Sequence, residues 1–125
     1  MPRYLLMLAA VLEVLAGLAF IFAPGPTARV LVGAEPDSVA LMVGRVAGVA
    51  LLSLGIACWG ASTDAGGAAR TGTLNAITLY NAGAGLLLVA FAATGEAGGL
   101  VVWIGGILHL GLATAFVVAR ALHRE

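Results

Sequence analysis

Residues 4–22 read YLLMLAAVLEVLAGLAFIF, a run of apolar residues interrupted by one charge, Glu13, at its middle. As a helix this stretch rises about 28 Å, close to the thickness of a bilayer's hydrocarbon core. Pro24-Gly25-Pro26 follows, and that cluster cannot continue the helix. Glu13 sits where a cleavable leader needs an unbroken apolar core, and Pro24 sits where small residues should permit cleavage. The segment is therefore expected to stay in the mature chain.

Working outward, three more stretches have the same character: about 38–60, 73–93 and 99–121. Asp37 or Ser38, after Pro36, is placed to cap the second. The expected fold is all-α, one domain over residues 1–125, an integral membrane bundle of four helices. Thr27 to Gly33 is apolar enough to lie along the interface as one or two helical turns capping the bundle. Ser62 to Gly72 reads as a small, polar, glycine-rich loop, and Gly95 to Gly98 as a tight hairpin.

Composition agrees. Of 125 residues 62% are hydrophobic and 10% charged, far from the soluble norm of roughly a quarter charged. Six arginines balance six acids and lysine is absent, leaving no basic field for nucleic acid. Arg3, Arg70, Arg120 and Arg124 fall on one side of the spans and Arg29 on the other. This bias puts both termini in the cytoplasm.

Glycines inside the spans let backbones approach where lipid supplies no hydrophobic drive for association. Gly17, Gly44, Gly48, Gly55, Gly85 and Gly105 are the expected packing positions, and Arg45, Gly48, Leu52, Gly55 and Trp59 fall on one stripe of the second span. Such packing serves either the bundle itself or a homodimer. Glu13-x-x-x-Gly17-Leu18 recurs as Asn81-x-x-x-Gly85-Leu86 in the third span, as a two-plus-two duplication would give.

Polar residues within spans are costly and normally face a partner or a cavity. Glu13, Arg45 and His109 are the ionisable ones, and Tyr80 and Asn81 add polar groups at mid-span. Glu13 costs up to about 3 kcal/mol, which the apolar residues of its span offset. The second span has less to set against Arg45, so Glu13 is its expected partner, about one helical turn away in depth. Such a pair either locks the helices or, with His109, presents donors to an anionic or carbonyl headgroup. A third reading makes Glu13 or His109 a proton-exchanging site.

Cys58 is the single cysteine, which excludes an intramolecular disulfide or a dithiol relay. No metal-ligand spacing, nucleophile-base pair or phosphate loop is visible, so neither cofactor, metal nor enzymatic chemistry is expected. The expected partners are the bilayer, a lipid or quinone-like molecule, and a second copy or a larger membrane complex.

Arg45-x-x-Gly48, Gly55 with Trp59, Tyr80-Asn81, and Trp103 with His109 resemble the pattern of small bacterial four-helix membrane proteins near the DoxX-like group. That resemblance implies an inner-membrane helical bundle, with no settled activity. Ala9-Ala10-Val11-Leu12-Glu13-Val14 is similar to the glutamate-bearing segment of small multidrug resistance transporters. There it implies that the glutamate exchanges protons for cationic drugs.

Overall fold

A computed structural model describes residues 2–64, 66–95 and 99–122. Five helices account for nearly all of them: α1 (Pro2–Phe22), α2 (Pro24–Val32), α3 (Ser38–Thr63), α4 (Ala68–Thr94) and α5 (Gly99–Ala121). All but α2 are long and apolar enough to cross a membrane. Their outer surfaces carry large apolar side chains such as Leu15, Val46, Leu79 and Ile107, all more than half exposed. On a soluble domain such a belt would be a liability, whereas against acyl chains it needs no cover.

The chain breaks where the sequence indicates. Pro24 opens α2 at its first turn, where a missing N–H costs nothing. Thr27 ties α2 to α1, its hydroxyl donating to the carbonyls of Ala19 (3.1 Å) and Ala23 (2.7 Å). Gly33 ends α2 in the left-handed conformation, φ 70°, its N–H donating to Arg29 O at 2.9 Å. Arg29 and Glu35 then close the connection as an exposed ion pair, 3.0 Å apart. Asp37 caps α3, its carboxylate accepting from Ala40 N at 2.7 Å.

The expected loop from Ser62 to Gly72 is mostly helix instead. Ser62 and Thr63 extend α3, their hydroxyls donating back to the carbonyls of Trp59 (2.6 Å) and Gly60 (2.9 Å). Gly67 O accepts the first helical bond of α4, from Thr71 N at 3.0 Å. The Arg70 guanidinium reaches back to the Asp64 carbonyl and pins the short turn. Gly95 ends α4 with φ 72°; the rest of the expected 95–98 hairpin lies outside the described residues.

Packing resolves into two tight pairs, α1 with α3 and α4 with α5, joined less closely to one another. A Cβ on Gly17 would stand 2.7 Å from Gly48 O and 2.7 Å from Leu52 N, so only glycine permits this crossing. Gly55 fits equally tightly against Val14 and the Ala10 carbonyl. In the second pair Gly85 meets Leu110 and the Gly106 carbonyl, while Gly106 meets Val89. Two expected packing positions are looser. Gly44 has only Phe20 and Pro24 beyond 3.4 Å, and Gly105 has Leu88 at 3.6 Å, because the close contact on α5 belongs to its neighbour Gly106.

At the end holding the start of α1 and the close of α5, the four long helices converge. Leu6, Ala9, Ala10, Cys58, Ala61, Leu74, Ile77 and Phe116 form one buried core there. Towards α2 the pairs separate.

Candidate functional site

The separation of the pairs leaves a cavity of about 810 Å³, on the scale of small-molecule pockets. Every helix contributes to its wall. Leu12, Ala16 and Phe20 come from α1, Ala47 and Leu51 from α3, Ala84, Leu87 and Leu88 from α4, and Val101, Gly105, Leu108 and Leu112 from α5. α2 covers the end away from the core with Pro26, Thr27, Val30 and Leu31. Ala47, Leu87, Val30, Val101 and Leu108 line the space and are also exposed, so the cavity is open to the outside of the bundle.

Three polar side chains, Glu13, Tyr80 and His109, line the floor, where the cavity meets the buried core. Each stands near the middle of its helix, so the floor lies near mid-span. Glu13 is 4% exposed, and Tyr80 of α4 is its side-chain hydrogen-bond partner. The Tyr80 ring meets His109 edge to face, with centroids 5.6 Å apart and planes at 86°. His109 Nδ1 lies 2.8 Å from Asn81 Oδ1. Asn81, wholly buried, donates its Nδ2 to Ile77 O at 2.9 Å.

This last bond fixes a tautomer. The Ile77 carbonyl can only accept, so Asn81 turns its amide nitrogen to it and its oxygen to the imidazole. His109 Nδ1 then carries a hydrogen, and in the neutral ring Nε2 presents a lone pair.

Of the residues singled out in the sequence, Glu13, Tyr80, Asn81 and His109 are brought together; Arg45 is not. It is exposed on α3, away from the cavity lining, and among the described residues it has no ion-pair or hydrogen-bond partner. The expected Glu13–Arg45 pair is therefore corrected, for a geometric reason. Gly17 meets Gly48, and Gly44 lies beside Phe20, so Arg45 stands level with Phe20. Phe20 is about 10 Å above Glu13 along α1 at 1.5 Å per residue, two turns rather than one. The stripe through Arg45 and Trp59 also drifts off the contact face, since both ends are exposed while Gly48 and Gly55 are buried. Two turns from the start of α3, an arginine stem reaches the interface by snorkelling and needs no partner within the bundle.

Cys58 is fully buried in the core. Among the described residues no three His, Cys, Asp or Glu side chains gather in a group able to hold a metal ion. Sequence reading missed the cavity itself, the Glu13–Tyr80 partnership and the place of Thr27 in the lid. The shared depth of Glu13 and Tyr80 was the available signal for the second.

Compared with known proteins, the chain matches no protein-family model, no curated protein and no solved structure. The site is accordingly read from its own chemistry.

Proposed function

We propose that this chain is a membrane-embedded binding protein for a small amphipathic molecule, whose apolar body fills the cavity and whose head rests on Glu13, Tyr80 and His109. One observation carries the reading: a cavity of about 810 Å³, walled by aliphatic side chains, ends on a cluster of polar ones at mid-span. Polar residues at that depth are expensive unless used or fully paired with one another. Apolar walls with a few convergent polar groups are the ordinary make-up of a ligand site.

A cavity open to the outside of the bundle suits a ligand arriving from the bilayer, and α2 covers the end towards the interface. The DoxX-like resemblance and the arginine bias support a bacterial inner-membrane protein with both termini in the cytoplasm. Native mass spectrometry of gently purified protein tests the binding reading. Wild type should carry a small molecule that Ala84→Trp, which projects an indole into the cavity, retains less. An empty wild type with the same mass profile as Ala84→Trp favours a purely structural or accessory-subunit role.

A second reading is favoured by the cavity lining, which sets no arginine or lysine beside Glu13 among the described residues. A carboxyl so placed suits proton exchange against a lipophilic cation, as the transporter resemblance implies. Proton release on adding such a cation, lost in Glu13→Gln, tests it.

A further inference from the structure

We infer that the head of the ligand is a hydrogen-bond donor, a neutral hydroxyl such as a phenol or long-chain alcohol, and neither an anionic nor a carbonyl group. The inference rests on the cavity's being a ligand site, and it follows from counting hydrogens around the floor and lid.

The side-chain donors of the site are already committed to protein acceptors. The Thr27 hydroxyl is committed to the carbonyls of Ala19 and Ala23. Asn81 gives one amide hydrogen to Ile77 O and does not line the cavity, and the His109 Nδ1 hydrogen points at Asn81 Oδ1. The phenol of Tyr80 donates its hydrogen to the Glu13 carboxylate. In the three side chains that line the floor, the groups left over are acceptors: the remaining lone pairs of the Glu13 carboxylate, those of the Tyr80 oxygen, and His109 Nε2.

Arg45 was the one group that would have welcomed a phosphate or a carboxylate, and it points elsewhere. With it absent from the lining, an anionic head would face Glu13 with no cation to hold it. A carbonyl head would set acceptor against acceptor. A ligand that brings its own O–H satisfies the floor without breaking any bond already made there. A neutral hydroxyl does so without the penalty of carrying a charge to mid-span.

The test uses the full chain in nanodiscs and three probes of equal tail length: 4-dodecylphenol, its methyl ether 4-dodecylanisole, and dodecyltrimethylammonium. The ether keeps the oxygen and loses the hydrogen; the quaternary ammonium keeps a positive charge and has no donor. Binding is read against empty nanodiscs. The phenol should bind roughly tenfold tighter than the ether, about the effect of one buried hydrogen bond. His109→Phe, which keeps an aromatic ring and removes the acceptor, should shrink that ratio. Circular dichroism verifies that the variant is folded. Equal binding of phenol and ether overturns the inference and leaves the cavity standing as a binding site. Tighter binding of the ammonium also overturns it, since charge would then be what the floor reads. If no probe binds above background, the ligand-site reading itself falls, and the head chemistry with it.

Discussion

His109 and Asn81 join α5 to α4 through a 2.8 Å contact between Nδ1 and Oδ1, and this contact orients the imidazole at the cavity floor. Asn81 is itself held by Ile77 O, so the chain from backbone carbonyl to amide to ring leaves one direction for the free nitrogen. A buried polar link of this kind costs stability when half of it is removed, because the orphaned group keeps its desolvation.

Asn81→Leu should therefore lower unfolding stability in detergent by about 1–3 kcal/mol. Combined with His109→Phe, the loss should be smaller than the sum of the single losses, with a coupling of roughly 0.5 kcal/mol or more. Thermal unfolding of the four proteins measures the cycle. Strict additivity would mean that the two side chains do not communicate.

At the α1–α3 crossing the prediction is steric. Gly17→Ala sets a methyl group 2.7 Å from backbone atoms of α3 and should cost about 1–3 kcal/mol, even though alanine is the better helix former. Gly111→Ala, with no atom within 4 Å, should be neutral or slightly stabilising. The comparison is an unfolding-temperature difference in one detergent. Similar shifts for both variants would contradict the close approach.

Arg45→Ala should change stability by no more than about 0.5 kcal/mol, as for an exposed position without a partner. Retention of any co-purified molecule should be unchanged as well. Loss of that molecule in Arg45→Ala, with the fold intact, would return the guanidinium to the site.

Cys58 gives a test by chemical access. Its thiol is 0% exposed within the core, so it should resist maleimide until the protein is unfolded. Ala84→Cys, in the cavity wall, should react with a small apolar thiol reagent in the folded protein. Rapid labelling of Cys58 would mean that the helices do not converge as described.

The four long helices were legible because apolar length and helix-ending Pro and Gly residues are local properties. Asp37 and the Pro24-Gly25-Pro26 break are read from chemistry at single positions, and both stand where the sequence puts them. The 62–72 segment was misread because small and polar residues favour loops on average. Here the hydroxyls of Ser62 and Thr63 bond within their own helix, and Arg70 secures the turn.

At the site, depth along each span was enough to group Glu13, Tyr80, Asn81 and His109, since all stand near mid-helix. Arg45 failed on two quantities that sequence leaves open. One is the register of α3 against α1, set by Gly17 on Gly48; the other is the side of α3 that faces inward. A one-turn error in register was sufficient to bring together two charges that stand apart. The cavity was invisible for a related reason: it exists because two glycine-packed pairs diverge, and divergence is a property of the whole bundle.

The most direct test is photolabelling in the bilayer. A long-chain alcohol bearing a diazirine at mid-tail is irradiated with the folded protein in nanodiscs, and the labelled residues are mapped by peptide sequencing. Occupied as described, the cavity predicts labels on Leu12, Ala84 and Leu108, competed away by excess 4-dodecylphenol. Labels confined to outward residues such as Leu15, Leu79 and Ile107, and indifferent to competitor, would contradict it.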